Sequence, residues 1–292
     1  MDIICYFANL KICGTEYSTN DKGARTLNRL PFSVDGYDFE LVQDSAVFRT
    51  LERELIGTFI ESTRLYVNNV EPEDTMVICQ IARRIAYMLS LATDSQVRFY
   101  RWHAVNCDEG QRWSVNGVYN YFRPPLCTVE TIYLKSFIEG GYATYKQLEE
   151  VRTLKVAIEL FVTSDVLEQP VELRLANIFI LLENLKHSYA KAHEYEYIKG
   201  AWFKDGKRTG FKQILIDMFD SVGMSPEVSG IIKLRNEIIH SGLSEMGGKE
   251  KYKIFSVCKE LSGEYLFRLL GYQGKFYRHT TNGNQSKMLS LV

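Results

Sequence analysis

The chain lacks paired cysteines. Its six (Cys5, Cys13, Cys79, Cys107, Cys127 and Cys258) are scattered with no C-x-x-C among them. That spacing argues against a zinc cluster and for reduced thiols in a cytoplasm. Its five histidines are equally dispersed, so no metal site and no cofactor is expected. It lacks a charge bias: 35 basic residues against 36 acidic ones leave −1, so any basic site must be local. It also lacks an apolar run approaching the roughly 20 residues that span a bilayer, and no membrane association is expected. The opening MDIICYFANL is apolar, but no basic segment precedes it and Asp2 interrupts it, against a signal peptide. What is present is a chain of 292 residues, 46% hydrophobic and 24% charged, enough for two domains with substantial cores.

The two halves differ in texture, and together they predict an α+β fold. Residues 1–130 read as a mixed α+β domain. Ile3–Phe7, Tyr37–Val42, Gly57–Ile60 and Arg64–Val67 are rich in Ile, Val, Tyr and Phe between polar or Gly/Pro-containing turns, as strands are. Asp74 to about Leu91 repeats Val77, Ile81, Ile85, Met88 and Leu89 at helical spacing, after a Pro72-Glu73-Asp74 start. Gln96–Val105 then alternates as a strand, and Arg123-Pro124-Pro125 makes a boundary.

Residues 140–272 read as an all-α bundle. Helices are predicted over Tyr145–Leu167, Val171–His193, Phe211–Val222 and about Lys249–Leu270, with a loop from Lys199 to Gly210. In the second, Leu173, Ala176, Ile180, Leu181, Leu185 and Tyr189 are expected to point inward. A further helix should open with Ser225 as cap and Pro226 in its first turn, and stop at Gly242. Residues 273–292, polar and aperiodic, read as a loose tail.

That further helix carries Leu234-Arg235-Asn236-Glu237-Ile238-Ile239-His240. With seventeen arginines and five histidines, an arginine followed at this distance by a histidine should occur about once by chance. A second match, Arg98 to His103, lies in the alternating strand. There residues five apart should face opposite ways, so that pair is set aside. On a helix Asn236 and His240 share a face, and Arg235 is about 100° from Asn236, within reach of the same patch. The last helical turn favours a protonated imidazole at His240. An arginine can hold a phosphate in bidentate fashion, and a histidine can move a proton near neutral pH. Surface charge, a polar side chain and a histidine closing the helix explain the same three residues without any function.

The motif Leu234–Gly242 resembles the R-x(4–6)-H signature of HEPN domains, which are α-helical bundles. Val171–Glu183, with Glu172, Arg174, Leu182 and Glu183, resembles a helix of their ApeA-like branch. Leu89-Ser90-Leu91-Ala92 followed by a strand is similar to that branch as well. The resemblance implies an endoribonuclease that needs no metal, acting as a homodimer whose two chains each contribute an Arg and a His to one cleft. Carried over, Arg235 would stabilise charge on the phosphate, His240 would act as general acid/base, and Asn236 would orient one of them. RNA is then the substrate, in a prokaryotic anti-phage or toxin–antitoxin setting with an inhibitor or activating partner. The alternative is a non-catalytic HEPN scaffold for interaction or nucleotide sensing.

The predicted loop is the most basic stretch. Lys199, Lys204, Lys207 and Arg208 against Asp205 could track phosphates, while Trp202 and Phe203 stack on bases. An ordinary solvated loop with both aromatics packed inward is the competing reading. Glu183 and His187, one turn apart, are either a second acid/base pair or a polar contact and an outward-facing histidine. Trp102, Trp113, Tyr119 and Tyr121 form an aromatic group that core packing explains equally well.

Overall fold

The computed structural model describes residues 1–19, 23–120, 124–165, 169–280 and 283–290. Tyr121, Arg123 of the expected boundary and Leu167 of the expected helix end lie outside the described residues. Two compact units emerge. The first holds Met1–Lys146, Tyr272–Tyr277 and Ser286–Met288, and the second holds Gln147–Gly271, Arg278–Gln285 and Leu289–Val292. Both combine helices with antiparallel strands, so the fold is α+β.

Period-two alternation of apolar and polar residues builds the first unit. β1 (Ile3–Ala8), β2 (Glu16–Thr19), β3 (Arg25–Val34), β4 (Tyr37–Gln43), β5 (Glu61–Val67), β6 (Arg98–Ala104) and β7 (Gly110–Arg112) form one sheet. Their order is β2-β3-β4-β5-β1-β6-β7, antiparallel throughout. Two short helices, α1 (Ser45–Arg49) and α2 (Glu52–Leu55), fill the link before β5. A 3-10 turn, Pro72–Asp74, leads into α3 (Thr75–Thr93), which packs on β1 and β6. Ile78, Ile81, Ile85 and Leu89 of α3 are buried, as are Ile3, Cys5, Phe7 and Leu65 on the strands. Tyr6, Arg64, Arg101 and His103 on these strands remain at least partly accessible. Trp102 and Tyr119 are buried and Phe99 packs 5.2 Å from Trp113, so those aromatics serve the core. α4 (Thr131–Leu148) joins this unit as far as Lys146, with Lys135 donating to the Pro31 carbonyl and Lys146 paired with Asp35.

Three expectations for this half need correction. Residues 57–60 are irregular rather than a strand, while the ten-residue β3 escapes the reading because Pro31 and several polar residues interrupt its alternation. Pro72–Thr93 is, by length and composition, apolar enough to cross a membrane despite Arg83 and Arg84, although most of that stretch is buried in the fold, as a core helix is. The reason for setting aside Arg98 and His103 fails as well. Tyr6 pairs with Arg101 but Phe7 with Phe99, so a bulge at Tyr100 inverts the alternation and returns Arg98 and His103 to one face. They still do not converge, because Arg98 donates to the Asn116 carbonyl while His103 contacts the Tyr6 hydroxyl.

The second unit is arranged around one helix. It contains α5 (Leu154–Thr163), α6 (Val171–Ala192), β8 (Glu196–Ile198), β9 (Ala201–Lys204), β10 (Lys207–Thr209), α7 (Phe211–Asp220), α8 (Ser229–Ser241) and α9 (Gly248–Leu269). α6 packs against α5, α7, α8 and α9. Leu175, Ile178, Phe179, Leu182 and Leu185 supply its buried stripe, and Phe255, Cys258 and Tyr265 that of α9. Leu173 and Ile180, expected inside, are exposed.

This unit is not all-α. The stretch read as a loop is a three-stranded antiparallel sheet in order β10-β9-β8. Its two-residue links, Lys199-Gly200 and Asp205-Gly206, have positive φ at both positions, the backbone of type I′ hairpin turns. The single helix expected over 145–167 is two. Thr153 adopts φ 49°, its N–H donates to the Glu150 carbonyl and that of Leu154 to Glu149, a Schellman stop made with threonine where glycine is usual. α8 begins at Ser229 rather than at Ser225, whose hydroxyl bonds Asp220 instead. Glu227 accepts the Ser229 N–H. Nor is the end of the chain a loose tail, since β11 (Gly274–Thr280) and β12 (Gly283–Leu289) form a hairpin. Lys275 is anchored to Glu130, and the Tyr277 N–H donates to the Pro125 carbonyl.

Candidate functional site

Ile231, Leu234 and Ile238 recur at helical spacing and are buried, which fixes the face that α8 turns inward. Arg235 lies at the edge of that stripe, with its side chain 19% exposed, whereas Asn236 and His240 are exposed. Gly242 (φ 73°) ends the helix, and its N–H closes on the Ile238 carbonyl at 2.8 Å.

The Arg235 guanidinium has three neighbours. Nη1 donates to Asn236 Oδ1 at 2.8 Å and Nη2 to Glu183 Oε1 on α6. The Phe211 ring centroid lies 4.8 Å away. Glu183 also accepts from Lys186 Nζ at 2.8 Å, and that ammonium is 5.0 Å from the same ring. One arginine nitrogen, Nε, is buried without a hydrogen-bond partner. Arg235, Glu183, Lys186 and Phe211 line a pocket of about 250 Å3 to which Trp202 and Arg208 also contribute, while Asn236 lies outside it. Chemically it is a small cationic recess with one carboxylate, able to accept an anion if Glu183 is displaced.

His240 is not among the residues lining that recess. Five residues of helix put it about 140° round from Arg235, so one chain does not bring the two side chains to a single point. Asn236 links them, sharing a face with His240 and a hydrogen bond with Arg235. Ile239 and Leu243, next to the histidine, are 39% and 69% exposed.

The basic stretch separates its cations from its tryptophan by burial, although Trp202 and Lys204 lie two apart on β9. Lys199, Lys204, Lys207 and Arg208 are exposed, with Lys204 Nζ 4.7 Å from the Tyr195 ring. Trp202, expected to stack on a base, is buried between Tyr197 at 4.8 Å and His187 at 5.1 Å, so it supports the small sheet instead. Burial, then Lys191 and Lys186, hold the His187 pKa below its usual value. Glu183 is engaged by Arg235 and Lys186, leaving no acid/base pair with His187. The Glu183–Arg235 ion pair and Phe211 were not foreseen as a unit. Their signal was faint, since 52 residues separate the carboxylate from the arginine.

Among the described residues, no group of three or more His, Cys, Asp or Glu could hold a metal ion. Set against protein-family models, curated proteins and solved structures, the chain finds no match in any of the three.

Proposed function

We propose that the second unit is an RNA endonuclease of HEPN type, working without a metal as a homodimer. Its chief support is the exposed edge of α8, where Asn236 and His240 share a face beside Arg235 at the mouth of a cationic recess. The exposed Ile239 and Leu243 beside His240 favour pairing with a second chain along this edge, as do Leu173 and Ile180 on α6. In the paired molecule, one imidazole takes the proton of a ribose 2′-hydroxyl as its oxygen attacks phosphorus. The bond from phosphorus to the 5′ oxygen breaks, and the second imidazole protonates that oxygen, leaving a 2′,3′-cyclic phosphate and a 5′-hydroxyl. The guanidinium stabilises charge building on the phosphate. The setting we propose is the cytoplasm, in anti-phage defence or a toxin–antitoxin pair with an inhibitor or activator. Six free cysteines accord with a reducing compartment.

The contact between Arg235 and Glu183 favours a second reading, a non-catalytic scaffold in which the arginine braces α8 against α6. The two part on one experiment. Wild type, Arg235→Ala and His240→Ala are each incubated with mixed RNA in EDTA. The nuclease reading expects cleavage by wild type and a loss of at least ~100-fold in both variants. Equal cleavage in all three, or none in wild type, leaves the scaffold.

A further inference from the structure

The first unit carries a second cationic feature, on the open face of its seven-stranded sheet. Register places Arg29, Val42, Arg64, Tyr6, Arg101 and Arg112 in one row across β3, β4, β5, β1, β6 and β7. At about 4.8 Å per strand, this row is roughly 24 Å long. The next row brings Tyr66, Ile4 and His103 alongside. Sequence order hides both, because the strands come from distant parts of the chain.

The arginines are not alike. At the ends of the row, Arg29 is held by both oxygens of Glu40 at 2.7 and 2.6 Å, and Arg112 by Glu61 at 3.0 Å. In the middle, Arg64 and Arg101 form no ion pair among the described residues, and both are exposed. Their guanidinium carbons lie 5.9 and 4.9 Å from the Tyr6 ring centroid, one from each side strand. His103 stacks on the same tyrosine at 5.5 Å. Two like charges flanking one ring repel each other, and an anion laid between them relieves that repulsion. The surface there is a concavity of about 540 Å3 that includes Tyr6, Arg64, Tyr66, Tyr100 and Arg101. Its acids are already engaged, Glu61 with Arg112 and Asp44 as the cap of α1.

We infer that this sheet face binds single-stranded RNA, with Arg64 and Arg101 on the phosphates and Tyr66 stacked against a base. Cations interleaved with aromatic rings along a row suit a strand whose unpaired bases expose their flat faces. The site is longer than a lone phosphate requires. This inference does not depend on whether Arg235 and His240 cleave RNA.

The test uses the full chain carrying His240→Ala, so that the probe survives if the chain is a nuclease. Fluorescence anisotropy reads the binding of a labelled oligouridine of about twelve nucleotides. Adding Arg64→Gln and Arg101→Gln together should weaken binding at least about tenfold and flatten the slope of log affinity against log salt by about 1.4. Tyr66→Leu should weaken binding roughly tenfold, while Tyr66→Phe retains it. These side chains are accessible, and melting curves verify that each variant folds. Unchanged affinity and slope in the double arginine variant would overturn the inference. So would equal losses from Tyr66→Leu and Tyr66→Phe, or a uridine mononucleotide binding as tightly as the strand. A chain that binds here yet never cleaves refutes the nuclease alone, and one that cleaves yet fails these tests refutes the sheet site alone.

Discussion

Arg235 meets a carboxylate, an amide and an aromatic face at once, an arrangement that matches the planar fork of a guanidinium and not a point charge. Arg235→Lys should therefore keep the charge but fail to restore cleavage, remaining at least ~10-fold below wild type in the EDTA assay. His103 offers a second prediction, on stability. Burial first, then Arg101 and Arg64, hold its pKa below the ordinary 6.5. The fold thus favours the neutral ring while the unfolded chain takes up a proton more readily. Its contribution is present above about pH 6.5 and is lost as pH falls through the folded value. Thermal melts of wild type should fall off more steeply between pH 7.5 and about 5.5 than those of His103→Asn, and identical pH profiles would contradict this. Arg152 is a third case. It is buried, donates to the Tyr265 hydroxyl at 2.5 Å, and lies 5.7 Å from the Tyr189 ring. Arg152→Ala should cost about 2–4 kcal/mol in chemical denaturation by leaving a cavity and an unpaired hydroxyl.

The stops of the elements separate what was legible from what was not. Gly242 was readable, because a helix ending in the left-handed region prefers glycine and φ is 73°. No atom lies within 4 Å of a Cβ built there, so Gly242→Ala should cost only the backbone term, about 1 kcal/mol, measured as a shift in denaturation midpoint. Thr153 makes the same kind of stop with a residue that carries no such signal, and two helices were read as one. The small sheet was the opposite case. Asp205-Gly206 is a strong hairpin dipeptide, yet its strands are too short for alternation to register. β3 was hidden by Pro31, and the C-terminal hairpin by a polar sequence. Of the candidate site, the helix and its exposed edge could be read from spacing. The carboxylate on Arg235 and the burial of Trp202 could not, since both depend on partners outside their own segments.

At the scale of the whole molecule, the two proposed sites assign separate kinetic roles to separate surfaces. If the sheet gathers RNA and α8 cleaves it, Arg64→Gln with Arg101→Gln should raise KM for long substrates and leave kcat unchanged. His240→Ala should lower kcat instead. Loss of kcat in the arginine variant would assign those residues to the chemistry. Pairing is tested by mass in solution, where a dimer is expected for wild type. Leu243→Lys should shift it toward monomer and reduce cleavage together with it, since half a composite cleft has no chemistry to offer.

Sequence alone determined the α+β class, the apolar stripe of α8 and the fact that Arg235, Asn236 and His240 lie just off it. These follow from periodicity, which is a property of neighbours within one element. Tertiary structure alone decided that Glu183 holds Arg235, that Trp202 is covered, and that Arg64 and Arg101 stand on either side of Tyr6. Those relations arise from strand register and helix packing, which join residues as far apart in the chain as Tyr6 and Arg101. No local pattern encodes which distant charge will lie opposite another.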